Sequence, residues 1–441
     1  MAEDLRRRVH EELVAQIDFS SSVGGFFKTS PNSKSIAYVV QAGKKKVYMV
    51  VDGEADEPCD GIGEGDPVFS YDGRRVAYTA GVGDKCCVVV DGVRGKQYDA
   101  IGEGTPVFSP DGEHIAYSAQ EDDKWLAVVD GEEGKRYDAI GSGDPIFSPD
   151  GKHVAFVAGL GDKALVVVDG KEGKQYDGIG AGTPIFSPDS GRIAYSAQIG
   201  DRWFTVVDDE EGKQYDRIGE NAIIFSPDSR HTACIIQDDS KQFVAVDEKE
   251  RKKYARVWIP TFSPDSKRLA YIAKIGKQVL MVVDGQEQRK YTQLWPPFFS
   301  PDSKRLVYLA RIGRQMLMVV DGQEQKKYAQ VYAPVFSPDG KRLAHAVRTG
   351  GRMRVVVDGE LSKEYDNIMG TTVTFSPDNK RLAYVARENR RMFVVIDGAA
   401  GVRYDNIIAT NRAGLTFDSP NQLHYLVFRG SDVYLVEEHM E

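Results

Sequence analysis

The residues best suited to recognition lie in the second half of the chain. Val257-Trp258-Ile259-Pro260, Leu294-Trp295-Pro296-Pro297 and Val331-Tyr332-Ala333-Pro334 recur at one spacing, each with an aromatic at the same place. The same stretch is rich in cations: Lys274, Lys277, Arg311, Arg314, Arg348, Arg352, Arg354, Arg387, Arg390 and Arg391. Aromatic and guanidinium groups side by side are the usual material of binding hot spots, and a desolvated cation–π contact contributes about 0.5–2 kcal/mol. Trp258, Trp295, Tyr332, Lys274, Lys277, Arg311, Arg314, Arg348 and Arg352 are therefore the candidate binding residues. The competing reading is that the rings wedge between structural units and that the cations are a solvated face.

Residues for other chemistry are present without the required spacing. No Gly-x-Ser-x-Gly elbow occurs. The Gly-x-Gly pieces lead into strands and not helices, so they form no phosphate cradle. His10, His114, His153, His231, His345, His424 and His439 are scattered, and Asp208-Asp209-Glu210-Glu211 lacks the alternating ligands of a calcium loop. Cys59, Cys86, Cys87 and Cys234 show no Cys-x-x-Cys spacing and read as buried free thiols. The expectation is a protein that is not an enzyme and needs no cofactor or metal.

What must position these residues is a repeat. Phe108-Ser109-Pro110-Asp111-Gly112 returns as Phe147-Ser148-Pro149-Asp150-Gly151 and Phe186-Ser187-Pro188-Asp189-Ser190, then at Phe225, Phe262, Phe299, Phe336 and Phe375. Degenerate copies at Ser30-Pro31-Asn32-Ser33, Phe69-Ser70-Tyr71-Asp72-Gly73 and Phe417-Asp418-Ser419-Pro420-Asn421 bring the number to eleven. The period is 39 residues early in the chain and 37 between Phe225 and Phe336, close to that of a propeller blade.

One unit reads as four strands. Thr105-Pro106-Val107-Phe108 is strand A, His114-Ile115-Ala116-Tyr117-Ser118-Ala119 strand B, Trp125-Leu126-Ala127-Val128-Val129 strand C and Arg136-Tyr137-Asp138-Ala139-Ile140 strand D. Ser-Pro-Asp-Gly and Asp130-Gly131 supply turns, Gly accepting positive φ and Asp satisfying local backbone groups. Glycine-rich segments such as Gly141-Ser142-Gly143 read as links from strand D to the next strand A. Four short strands cannot cover both faces of their own sheet; neighbouring copies must do so.

The Phe-Ser-Pro-Asp-Gly run followed by apolar-Ala-Tyr resembles the TolB-like, PD40-type (WD40-like) propeller repeat across residues 25–428. The resemblance implies blades whose B–C and D–A loops share one face and whose A–B and C–D loops share the other. It departs from TolB in having eleven repeats instead of six, and no N-terminal α/β domain.

The expectation is an all-β fold: a single closed β-propeller of about eleven four-stranded blades, with two tandem rings of five and six as the alternative. The last unit lacks strand D, and Val14-Ala15-Gln16-Ile17-Asp18 is available to supply it. Residues 1–13, with Leu5, Val9 and Leu13 at helical spacing, read as a helical extension before a propeller spanning 14–441.

Charge is unevenly spread. The net charge of −9 combines about −15 over residues 51–150 with about +12 over residues 251–350. The early loops are acidic, at Gly63-Glu64-Gly65-Asp66, Gly102-Glu103-Gly104, Glu121-Asp122-Asp123 and Gly143-Asp144; the later ones carry the cations above. The Asp that follows the strand D tyrosine (Asp99, Asp138, Asp177, Asp216) becomes Ala255, Thr292 and Ala329 where the period shortens.

These readings make the chain an interaction scaffold that docks a protein partner of unknown identity on the B–C/D–A face. The alternative is a small molecule or glycan bound in the central channel or on the aromatic arc. Nucleic acid fits poorly with the net negative charge, and no apolar run spans a membrane. The charged start of the chain lacks a signal core and places it in the cytoplasm, the alternative being export with a leader already removed.

Overall fold

A computed structural model of the chain describes residues 6–18, 22–43, 45–63, 67–141, 145–409 and 414–441. Among them the strands make eleven antiparallel sheets, ten built from consecutive segments of chain. One 3₁₀ turn, Gly370–Thr372, is the sole helical element among the described residues. The fold is a β-propeller of eleven blades, numbered here along the chain. Blades 1–6 lie in residues 18–253, and blades 7–11 in residues 254–441 together with the amino-terminal segment. One sheet recruits a strand from a distant part of the sequence; a second ring latched in the same way would need another. Two tandem rings of five and six blades find no support.

Blade 3 shows how the sequence makes a blade. Strand B is Ile115–Glu121, strand C Lys124–Val129 and strand D Glu132–Tyr137. Asp130 (φ 49°) and Gly131 (φ 85°) both adopt the left-handed conformation that a two-residue hairpin requires. Strand A is in two pieces, Ala100–Ile101 and Val107–Phe108, both paired with strand B. This corrects two expectations. Strand D ends at Tyr137, since Ala139–Ile140 already pairs with the next blade. The glycine-rich segment is therefore not a link between blades but a bulge inside strand A. Gly102 sits at its mouth, where a Cβ would come within 1.9 Å of Ser118 Oγ.

The same register explains the two periods. In blade 3, residues 103–106 bulge between Gly102, which donates to Ser118 O, and Val107, opposite Ala116. In blade 8 only Pro296 and Pro297 separate Trp295, which donates to Leu309 O, from Phe298, opposite Val307. The bulge shortens by two residues, which is the difference between 39 and 37.

The recurrent turns are internal fasteners. In blade 4 Ser148 Oγ, fully buried, donates to Asp150 Oδ1 (2.6 Å) and accepts from His153 N (3.0 Å). Asp169, of the Asp-Gly hairpin, accepts from Val154 N (2.9 Å) and meets His153 Nδ1 (2.7 Å). Asp150 N donates to Ser190 Oγ of blade 5 (3.0 Å). Arg192 of blade 5 reaches Ser229 O and Arg230 O of blade 6 and lies 5.5 Å over the Phe225 ring. Ser-Pro-Asp and Asp-Gly are thus turn and seam chemistry.

A second set of groups joins successive blades. The strand D tyrosine of one blade meets the strand B aromatic of the next edge-on, as Tyr98 meets Tyr117 at 6.1 Å and Tyr176 meets Tyr195 at 6.1 Å. Its hydroxyl donates to a glutamate of that next blade: Tyr98 to Glu133 (3.0 Å) and Tyr176 to Glu211 (3.1 Å). Lys96 lies over the Tyr98 ring and pairs with Glu133. The lysine and the hydroxyl hold the Glu133 carboxyl below its ordinary range, while burial and the nearby acid push the Tyr98 hydroxyl up.

The amino-terminal segment completes blade 11. It is a strand, Arg7–Gln16, antiparallel to Asp432–Met440, and not the helix expected over residues 1–13; Leu5 lies outside the described residues. The helical spacing misleads because the inward positions of this strand are charged. Glu11 accepts from Tyr404 Oη (2.8 Å) and pairs with Arg429 (2.7 Å), taking the part that Glu133 plays in blade 3. Arg7 pairs with the fully buried Glu438 (3.1 Å) and donates to Val394 O and Ala399 O of blade 10. Val9 and Leu13, the residues that suggested an apolar face, are exposed.

Breaking a buried ion pair from one side leaves an uncompensated charge and costs about 3–5 kcal/mol. Arg7→Met is expected to lower the unfolding free energy, read from a urea titration, by an amount in that range. The double variant Arg7→Met/Glu438→Leu should recover much of the loss; a single variant as stable as the parent would show that the latch carries no weight.

Candidate functional site

At the end of each blade where strand B turns into strand C, one carboxylate organises two blades. The aspartate after the strand D tyrosine, or after Cys59 at the end of blade 1, accepts the first N–H of the next blade's B–C turn. Gly83 N donates to Asp60 (2.9 Å), Asp122 N to Asp99 (3.0 Å), Gly161 N to Asp138 (2.7 Å) and Asp239 N to Asp216 (2.7 Å). In the later blades Asn389 N donates to Asp366 (2.8 Å) and Gly430 N to Asp405 (3.0 Å). The second oxygen pairs with the cation that opens strand C of its own blade, as in Lys46–Asp60 (2.7 Å), Lys85–Asp99 (3.1 Å) and Arg352–Asp366 (2.8 Å).

Blades 7, 8 and 9 lack this bracket. Ala255, Thr292 and Ala329 occupy the aspartate positions, and among the described residues no acceptor replaces the carboxylate at Gly276 N, Gly313 N or Gly350 N. The cation that opens strand C becomes Gln278 and Gln315. The second turn residue changes sign, from Asp84, Asp123, Asp162 and Asp201 to Lys277 and Arg314. Thr292 does not substitute: its hydroxyl donates to Arg311 O (2.7 Å). A turn N–H flanked by cations is a donor site for an anionic group.

The candidate residues divide into three groups. Lys274, Lys277 and Arg314 are exposed and have no hydrogen bond or ion pair among the described residues. Arg311, Arg348 and Arg352 are already engaged. Arg311 lies 5.4 Å over the Trp295 ring; Arg348 reaches Asn367 Oδ1 (3.0 Å) and Gly351 O (3.1 Å); Arg352 pairs with Asp366. Trp258, Trp295 and Tyr332 sit at the mouth of the bulge between the two pieces of strand A and not on a loop between blades, which corrects the expected placement. Each is half-buried: Trp258 against the core shared by blades 7 and 8, Trp295 against that of blades 8 and 9, and Tyr332 against that of blades 9 and 10. Tyr332 lies so close to Gly370 that a Cβ there would be 3.0 Å from its ring. With the bulge shortened, the ring fills the space, and the wedge reading describes these three residues. Trp258 is covered by Arg256 at 5.0 Å, not by Lys274.

Glu64, Asp66, Gly143 and Asp144 of the acidic loops lie outside the described residues. The unpartnered turn amides were legible in principle. Each bracketing aspartate follows its lysine or arginine by 14 positions and precedes its turn residue by 23, or by 25 at Asp405, and the aspartate is missing after Tyr254, Tyr291 and Tyr328. Among the described residues no group of three His, Cys, Asp or Glu side chains is placed to hold a metal, and no helix is long and apolar enough to cross a membrane.

No protein-family model matches the chain, and no curated protein matches it in sequence. Among solved structures it is similar to a eukaryotic initiation factor, at 12% identity over 85% of this chain and 97% of that one, with a TM-score of 0.43. It is also similar to the Dos1 propeller (11% identity, 75% and 90% covered, TM-score 0.33) and to TolB from Acinetobacter baumannii (16% identity, 56% and 64% covered, TM-score 0.26). Likeness this remote transfers no role to the chain.

The brackets of the early blades should leave a pH signature. An N–H and a lysine hold the Asp99, Asp138 and Asp177 carboxyls below the ordinary carboxylate range. Their contribution is therefore present above the unfolded value of about 3.9 and is lost as pH falls through the lower folded value. Asp99→Asn/Asp138→Asn/Asp177→Asn is expected to be less stable than the parent at pH 7. The gap in urea midpoint should close as pH drops below about 4. A gap that persists unchanged at pH 2 would contradict the bracket.

Proposed function

We propose that the chain is a non-catalytic interaction scaffold that docks a protein partner on the B–C end of blades 7–9, and that the partner presents acidic side chains. One observation carries this reading: in three consecutive blades the carboxylate that caps the B–C turn is missing, and two of the turns beside the vacancy carry Lys277 and Arg314 where blades 2–5 carry aspartate. The seven bracketed turns support a carboxylate as the group that the vacancy would take. A carboxylate brought by a partner meets the N–H of Gly313 or Gly350 with a cation alongside, the arrangement that Asp138 makes within the chain. Arg311, held by its own blade, and Arg348, held by its own and the next, add fixed positive charge that favours such a partner's approach.

The Phe-Ser-Pro-Asp-Gly repeats support placing the chain with TolB-like, PD40-type propellers. The scattered histidines and the absence of a nucleophile–base motif in the sequence support a role without catalysis. Four cysteines without pairing motifs support a reducing, cytoplasmic location.

Lys277→Glu/Arg314→Glu tests the docking face. Both side chains are exposed and make no internal contact, so stability should change by no more than about 0.5 kcal/mol. A labelled peptide of alternating Asp and Glu that binds the parent is expected to bind this variant at least about tenfold more weakly. Thr292→Asp/Ala329→Asp, which returns the missing carboxylates, should have the same effect. Equal binding by parent and both variants would refute the reading, as would no binding to the parent.

A further inference from the structure

The seams between blades carry a second departure from the repeat, in residues other than those of the docking face. In most seams two groups of the incoming blade fill the space over the strand D tyrosine: an aromatic in strand B and a glutamate two residues after the Asp-Gly turn begins strand D. Where blade 9 meets blade 8, both are missing. The aromatic position held by Tyr117, Tyr195, Tyr271 and Tyr308 is His345, and the glutamate position held by Glu133, Glu211, Glu287 and Glu324 is Leu361.

The result is a cavity of about 530 Å³, lined by Met318, Tyr328, Leu343, His345, Val356 and Leu361 among others. That volume suits a small organic ligand. Lys326 lies 5.8 Å over the Tyr328 ring, as Lys174 lies 5.5 Å over Tyr176. Lys174 and Tyr176 share the Glu211 carboxylate; Lys326 and the Tyr328 hydroxyl have no acid or other hydrogen-bond partner among the described residues. His345 Nδ1 is buried with no hydrogen-bond partner, and burial pushes the His345 ring down to about 4, so it is neutral at pH 7.

Two other seams show that the combination matters. The seam of blades 5 and 6 has lost its aromatic to Cys234, and a cavity of about 520 Å³ is present there, but the Lys213–Glu250 pair is intact. The seam of blades 9 and 10 has Ala400 in place of the glutamate, yet Tyr384 fills the aromatic position, edge-on to Tyr365 at 6.1 Å. Only the seam of blades 8 and 9 offers both a space of ring size and a cation–hydroxyl pair lacking its acid, among the described seams.

We propose that this cavity binds a small aromatic monocarboxylate. The ring occupies the place of the missing tyrosine, edge-on to Tyr328 and against Met318, Leu343 and Val356. The carboxylate occupies the place of the missing glutamate, accepting from Tyr328 Oη and pairing with Lys326 Nζ.

The test uses the full chain and 3-phenylpropionate, with 3-phenylpropanol as a probe of equal shape and no charge, both titrated by calorimetry and ligand-observed NMR. The acid is expected to bind the parent at millimolar concentration or better, and the alcohol at least about tenfold more weakly. His345→Tyr and Leu361→Glu each return the residue that sibling blades carry, so each should fold, raise the melting temperature and lower affinity for the acid by at least about tenfold. Lys326→Met, on the rim, should weaken the acid and leave the alcohol unchanged. Absence of acid binding to the parent, equal binding of acid and alcohol, or full affinity in His345→Tyr and Leu361→Glu would each overturn the proposal.

Discussion

Every blade here depends on a neighbour to cover its faces, and the contact that makes this possible is the strand D tyrosine. Nine such tyrosines, from Tyr98 to Tyr404, are buried at the seams. Burying a side chain of this size contributes about 1.5–3 kcal/mol, provided its hydroxyl finds a partner. Where an acid partner is present it comes from across the seam: Glu133, Glu211, Glu287 or, in the last blade, Glu11 of the amino-terminal strand. A tyrosine satisfied only by the next blade couples the units more tightly than apolar packing alone, because separating them leaves a polar group unpaired as well as a ring exposed.

That dependence separates the two kinds of departure from the repeat. The loss of the turn-capping aspartate in blades 7–9 occurs at an exposed edge, where water can satisfy the freed amides, and three blades in succession carry it. The loss of tyrosine and glutamate at the seam of blades 8 and 9 occurs in the load between units, where the vacancy remains as a cavity. The first leaves turn amides exposed at a loop edge, and the second leaves a half-open cavity between two blades. In both the repeat itself supplies the reference, because sibling blades show which group is absent and what it contacted.

Most of the architecture was legible in the chain. The Phe-Ser-Pro-Asp-Gly runs, the alternating strand B and the Asp-Gly hairpins locate eleven blades, since turn chemistry and period-two alternation are local properties. The need for an amino-terminal strand in blade 11 was equally visible, from the missing strand D. Two readings failed for a shared reason. Residues 1–13 looked helical because a strand whose inward positions are Arg7 and Glu11 shows no apolar alternation. The Gly-x-Gly segments looked like linkers because a bulge and a link have the same composition, and only pairing of Ala139–Ile140 with the next blade distinguishes them. At the site, the cations were found by charge, but their meaning was not, since the carboxylate they lack is defined by contacts 23 residues apart. Trp258, Trp295 and Tyr332 were noticed as anchors, whereas register makes them fillers of a shortened bulge.

The amino-terminal strand also sets an order of events during synthesis. Gln16 and Asp432, which hydrogen-bond at 3.1 Å, are separated by 416 positions. At roughly 5–20 residues per second a ribosome needs about 20–80 s to pass from one to the other. Throughout that interval Arg7–Gln16 has no sheet to join, while its charged alternate positions keep it from pairing with itself or with another nascent chain. The charges that hide this strand from pattern reading are the ones that let it wait.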